Sequence, residues 1–170
     1  MRLLAVLAPF TLLASIAASR PGAADPLWWG ELRTGYGVAV SGSGSAMSVQ
    51  ATPVTLAAIV SFAFNVDPPL SGYGGLLVET FDRNAAGAVF GVTLSPRDTP
   101  LRLSAGAAWL VAPYTLWGAT ASAGVCMHAA TQVRLCADLQ LTAYVGGSDL
   151  GEGRTVTQAQ LVGGVAFDAP

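Results

Sequence analysis

From Trp117 to Met127, and again from Leu135 to Val145, every second residue is apolar, and a single fold-back sorts the whole stretch into two faces. If Cys126 stands opposite Cys136 in an antiparallel hairpin, one face carries Met127/Leu135, Val125/Ala137, Ala123/Leu139, Ala121/Leu141, Ala119/Ala143 and Trp117/Val145, all apolar. The pairs that share the cysteines' face are His128/Arg134, Gly124/Asp138, Ser122/Gln140, Thr120/Thr142 and Gly118/Tyr144. Side chains alternate across a strand with period two, so this register predicts two long strands, greasy on one side and polar on the other. The turn falls on Ala130-Thr131-Gln132, which lacks the Gly or Asn that tight hairpins prefer.

Similar alternation recurs along the chain. Leu32, Thr34, Tyr36, Val38 and Val40 alternate with Glu31, Arg33, Gly35, Gly37 and Ala39. Val54, Leu56, Ala58, Val60, Phe62, Phe64 and Val66 share a face, as do Ala86, Ala88, Phe90, Val92 and Leu94. Leu101, Leu103, Ala105, Ala107, Trp109 and Val111 oppose Arg102, Ser104, Gly106 and Ala108. Thr155, Thr157, Ala159, Leu161, Gly163, Val165 and Phe167 oppose Arg154, Gln158 and Gln160. The segment 73–81 is ambiguous, with adjacent leucines and a lone Glu79. With the hairpin this makes eight strands, separated by the turn-forming stretches 41–45, 67–72, 82–84, 95–100, Pro113-Tyr114 and 146–153.

Length decides what the greasy face meets. Trp117 to Met127 advances about 34 Å, which at a tilt of about 40° spans about 26 Å, close to the apolar band of a membrane barrel and about twice the usual reach of a soluble strand. The pattern therefore predicts an all-β, eight-stranded antiparallel up-and-down transmembrane β-barrel with its polar face inward. A soluble periplasmic barrel with the apolar face inward is the alternative fold. A helical membrane protein is a weaker rival: the residues between Arg102 and Arg134 carry no acid, Arg or Lys, but Pro113 interrupts them and period two fits better than 3.6.

The first residues fit export. Arg2 precedes an apolar run to about Ile16, and the small residues Ala17-Ala18-Ser19 and Gly22-Ala23-Ala24 offer cleavage sites, as in a secretory signal peptide. This divides the chain into a leader, 1–24, and a barrel domain, 25–170. From Asp25 onward the chain has six arginines, no lysine and ten acids, a formal charge of −4. Without a basic patch, nucleic acid is not an expected partner. An oxidising compartment favours pairing of the two cysteines, and opposed positions in an antiparallel ladder suit a disulfide Cys126–Cys136.

Aromatic residues gather near the predicted strand ends: Trp28, Trp29, Phe64, Tyr73, Phe81, Trp109, Trp117, Tyr144 and Phe167. This suggests two interfacial girdles. With this pattern the chain resembles the small eight-stranded outer-membrane barrel proteins of Gram-negative bacteria over essentially its whole mature length, without a signature motif. The resemblance implies an outer-membrane location, with the bilayer and outer-membrane lipids as partners and both termini on the periplasmic side. It implies no particular activity. Where that family ends on an aromatic residue, Phe167 is here followed by Asp168-Ala169-Pro170.

Candidate chemistry is sparse. Cys126, His128, Cys136 and Asp138 share a face and could form a zinc set, but the spacing matches no zinc signature and oxidation would remove both thiolates; no metal or cofactor is expected. Ser122 and His128 lie about 20 Å apart along one strand, too far for a nucleophile and its base, and no enzyme site is expected. The inward charged and amide residues Glu31, Arg33, Arg102, His128, Arg134, Asp138, Arg154, Gln158 and Gln160 instead suggest a polar network in the lumen. Small inward residues such as Gly35, Gly106, Gly118 and Gly124 raise the alternative of a narrow pore or a lumen that accepts a small ligand. A plug of salt bridges fits the little room that eight strands enclose. The expected function is a non-enzymatic structural or surface-interaction role.

Overall fold

A computed structural model describes residues 28–43, 46–64, 69–80, 84–96 and 99–168. The leader assigned to 1–24 lies outside these, as do Val66 and Phe81. Every regular element described is a strand: β1 (Trp28–Ser43), β2 (Ala46–Ala51), β3 (Val54–Phe64), β4 (Leu70–Thr80), β5 (Ala85–Leu94), β6 (Leu101–Ala112), β7 (Leu116–Ala130), β8 (Val133–Gly146) and β9 (Thr155–Asp168). Neighbours in sequence pair antiparallel except β2 and β3, which both pair with β1, and β1 also pairs with β9 from Trp29↔Asp168 to Gly42↔Thr155, which closes the sheet into a barrel. Among the described residues no helix is long and apolar enough to cross a membrane.

The barrel has eight staves although nine segments are strands, because β2 and β3 are one stave broken at Thr52-Pro53. The register of β1 shifts by one residue across this break: Val38 faces Ala51, whereas Gly35 faces Thr55. Pro53 has no N–H to give to a ladder, and Thr52 compensates. Its N–H donates to the Gly37 carbonyl at 2.9 Å, and its Oγ1 accepts from the Gly37 N–H at 2.8 Å. Thr52 and Pro53 are both buried, so the outward alternation resumes on either side as Ala51 and Val54. This is a β-bulge whose extra residue is tied down by a side chain.

The stagger sets the shape. Paired residues followed around the wall from Trp28 run through Phe62, Gly72, Val92, Ala105, Ala121, Leu141 and Ala159, and return to β1 at Val38, ten residues above the start. For eight strands this stagger corresponds to a tilt of about 40°. Long strands thus wrap a narrow barrel with an apolar band of bilayer height.

The faces are assigned as the period-two pattern predicts. Leu139 and Leu141 are exposed outward at 59% and 50%, while Asp138, next to Leu139, is buried at 2%. Across β7 and β8 the predicted register holds from Gly118↔Tyr144 to His128↔Arg134. It fails at both ends. Trp117 pairs with Gly146 rather than Val145, and its indole occupies the space a side chain on Gly146 would need. At the turn Ala130 pairs with Val133, so the connection is Thr131-Gln132 with a bulge at Ala129 rather than three residues. A bulge adds the local twist that AATQ cannot supply through a positive-φ residue.

Outward aromatics mark both edges of the band: Trp28, Phe62, Phe64 and Phe167 at the end that holds the termini of the described wall, Trp109 and Trp117 at the other. Trp29, Tyr73 and Tyr144, expected in these girdles, instead belong to the inward parity of their strands, and the two tyrosines are buried. Near the far end the interior is apolar. Leu77, Ala85, Ala108, Leu110, Leu116 and Tyr144 pack together there, with Tyr114 and Leu150 from the adjoining connections against them.

Candidate functional site

The lumen is built in layers, beginning at the end that holds the termini. There β7 and β8 are stapled by the disulfide Cys126–Cys136, with Cα atoms 4.1 Å apart and Cys136 buried. Beside it Arg134 Nη2 donates to Asp168 Oδ1 at 2.5 Å, and the Arg134 guanidinium lies 4.9 Å from the centre of the Trp29 ring. Asp168 is the last residue of β9, so this ion pair ties the hairpin to the closing strand.

One layer further in lie the four charged groups of the lumen's main network. Glu31 and Arg33 come from β1, Arg102 from β6 and Asp138 from β8. Arg102 Nε donates to Asp138 Oδ1 at 2.6 Å, and Nη2 also donates to Asp138 Oδ2. Nη1 and Nη2 donate to the two oxygens of Glu31 at 3.0 and 2.9 Å, and Arg33 Nη2 reaches Glu31 at 2.8 Å. Two carboxylates face two guanidiniums, so formal charge cancels within the cluster. Planar bidentate pairing lets one arginine satisfy both acids. Such a cluster tolerates burial because each ion is paired and hydrogen-bonded.

Above this cluster the layer is amide and hydroxyl, with one further buried carboxylate, Glu79. Gln158 Nε2 donates to Glu79 Oε1 at 3.4 Å, Gln160 Nε2 to the Pro53 carbonyl at 3.5 Å, and Thr55 Oγ1 to Gln160 Oε1 at 3.5 Å. Between the polar layers lies a cavity of about 30 Å³, lined among others by Arg33, Tyr73, Thr120, Gln140 and Gln160. That is room for one or two waters with polar partners. Long side chains from other strands fill the space over several of the small inward residues. The Tyr73 hydroxyl would stand within 2.8 Å of a Cβ on either Gly91 or Gly106, and Asp138 covers Gly124.

The structure therefore gathers seven of the predicted lumen residues inside the wall: Glu31, Arg33, Arg102, Arg134, Asp138, Gln158 and Gln160. Two lie elsewhere. His128 sits at the rim with its side chain 67% exposed, 3.8 Å from Asp168, because β7 runs past the end of the lumen there. Arg154 is exposed in the connection before β9, its N–H bonded to the Gly151 carbonyl, so the period that holds from Thr155 onward does not reach it. Sequence reasoning missed Asp168 as the partner of Arg134. Its parity was the available signal, since it continues the inward set Gln158, Gln160, Val162. Both thiols are spent in the disulfide, so the cysteine-based zinc set cannot form.

Closed pairing, an outward apolar band and a largely filled interior define a transmembrane β-barrel. By this architecture the chain resembles the small eight-stranded outer-membrane barrels of Gram-negative bacteria. No family model matches the chain, and no curated protein matches it in sequence. Among solved structures it is similar to Neisserial surface protein A, at 11% identity over 84% of this chain and 97% of that one, with a TM-score of 0.49. It is also similar to Ail, the attachment invasion locus protein of Yersinia pestis solved with the heparin analogue sucrose octasulfate, at 13% identity over 82% of this chain and 99% of that one, with a TM-score of 0.45.

Proposed function

We propose that this chain is an integral outer-membrane barrel with a non-enzymatic structural or surface-interaction role, exported by a leader over 1–24 and folded from 25–170. The observation that carries the reading is the filled lumen. A closed four-charge cluster, amide and hydroxyl side chains and an apolar cap pack around a cavity of about 30 Å³, so the surfaces offered to partners are the outer wall and the rims. The chain's one histidine, His128, stands at the rim against Asp168 and about 20 Å along β7 from Ser122, which supports a role without hydrolytic chemistry. Outer-membrane lipids are the first partner on this reading. The disulfide fits an oxidising periplasm.

Fractionation of cells that express the full chain, followed by gel mobility before and after boiling and by planar-bilayer recording, tests this. The expected result is an outer-membrane protein whose mobility changes on boiling and which gives no stepwise conductance. Discrete conductance steps would favour the narrow-pore alternative. Recovery in the soluble periplasm would favour a soluble barrel.

A further inference from the structure

The segment β2 is the part of the wall that closure does not require. It pairs with β1 from Val38↔Ala51 to Ser43↔Ala46, and among the described residues no strand pairs with its other edge. Its faces are nevertheless sorted. Met47, Val49 and Ala51 share the outer face with Gly42, Val40 and Val38 of β1, and Met47 and Val49 are exposed at 76% and 70%. The inner face carries Gln50 and the pair Ser41 and Ser48, whose hydroxyls are 2.6 Å apart. No charged residue occurs between Thr34 and Ala51. A hairpin standing free in water has no reason to keep one face apolar.

Height narrows the choice of occupant. With the strand rise and a tilt of about 40°, Met47 stands roughly 10 Å further along the barrel axis than Trp109 and Trp117. Those tryptophans mark the edge of the hydrocarbon, and the headgroup layer adds roughly 5–8 Å on each side. An open strand edge is not tolerated in hydrocarbon, because its N–H and C=O groups find no partner there. Among headgroups it can pair with phosphate, hydroxyl and water. A second copy in the same leaflet fits poorly. Two strands each inclined at about 40° to a shared membrane normal would cross at roughly twice that angle about a two-fold along it, instead of running antiparallel.

We infer that the outer face of the β1–β2 hairpin docks on the interfacial lipid layer at the barrel end opposite the termini. Val49 and Val40, roughly 5 Å nearer the tryptophans than Met47 along the axis, lie against the glycerol and headgroup layer, Met47 reaches the outer limit of that layer, and the free edge of β2 lies among headgroups. The apolar surface is continuous with the lipid-facing band through Val38 and Tyr36, both exposed outward. The inference rests on the membrane reading above.

Nitroxide labels on cysteines introduced singly as Met47→Cys, Val49→Cys, Gln50→Cys and Leu139→Cys, with the native disulfide kept oxidised, test it in dioleoylphosphatidylcholine vesicles. Collision with an aqueous nickel chelate and with oxygen is read at each site. The label at 49 is expected to meet nickel several-fold less often than the label at 50, with the label at 47 between them, and both 47 and 49 stay open to oxygen. Equal nickel collision at 47, 49 and 50 overturns the inference and leaves the hairpin in water. Shielding from both reagents at 47 and 49 also overturns it, because protein rather than lipid then covers the face. The label at 139 separates the two levels of argument: if it meets nickel freely, the membrane reading itself fails. Should a substitution block folding, magnetisation transfer from lipid or from water to the Val49 amide of the unaltered protein gives the same contrast.

Discussion

Arg102 and Asp138 meet over β7 from β6 and β8, and Gly124 of β7 lies between them in register with both. The guanidinium also holds both oxygens of Glu31, so one side chain from one strand neutralises acids on two others. Removing it leaves two buried carboxylates short of their main partner. Breaking a buried pair from one side costs about 3–5 kcal/mol. Arg102→Met is therefore expected to lower the urea midpoint of the vesicle-inserted protein far more than Arg33→Met, which leaves Glu31 still bound to Arg102. Equal effects would show that the cluster does not have Arg102 at its centre.

Gly124 is small because the ion pair needs its space. A Cβ there would collide with Asp138 Oδ1 and with the Ala137 carbonyl oxygen, whereas a Cβ on Gly163 meets nothing within 4 Å. Gly124→Ala should destabilise by about 1–3 kcal/mol through forced displacement. Gly163→Ala should stay within about 0.5 kcal/mol of the unaltered protein. The contrast, read in the same urea titration, tests packing inside the wall against substitution on its lipid face.

The disulfide closes the short loop between Cys126 and Cys136 at the end of the barrel where β9 seals the sheet. In the chain-entropy model a loop of this length is worth about 2–3 kcal/mol. Replacing both cysteines by alanine should lower stability by that amount without changing the boiled-versus-unboiled mobility shift. Loss of the shift would mean that the staple is needed to reach the fold rather than only to hold it.

How much of this could be read beforehand depended on whether polarity differed across the wall. Where it did, as at Leu139, Asp138 and Leu141, period two fixed register and face together. In β4 it did not. Leu76 points outward at 69% exposure while Leu77 is buried at 8%, because the upper lumen is itself apolar and takes leucine from the inside. Polarity alternation cannot distinguish two greasy environments. For the same reason Leu110 and Leu116 were unreadable as a cap. The cross-strand partners of the charges were unreadable too, since the link from Glu31 to Arg102 depends on the stagger of all eight strands. His128 and Arg154 were misplaced because alternation carries no information about where a strand leaves the lumen.

The segment β2 escaped notice because Pro53 ended the apparent strand, although Met47, Val49 and Ala51 alternate with Ser48 and Gln50. What carries the chain through that proline is Thr52. Its N–H donates to the Gly37 carbonyl and its hydroxyl oxygen accepts the Gly37 N–H. Thr52→Val keeps the shape and removes the acceptor, leaving the Gly37 amide unpaired at a cost of about 1–3 kcal/mol. Thr52→Ser restores the oxygen. Amide exchange at Gly37 should accelerate in Thr52→Val and stay near the native rate in Thr52→Ser. Exchange at Gly35, on the other side of the bulge, should not move in either. If both variants exchanged alike at Gly37, the hydroxyl would not be what holds β2 to the barrel, and the bulge would owe its geometry to Pro53 alone.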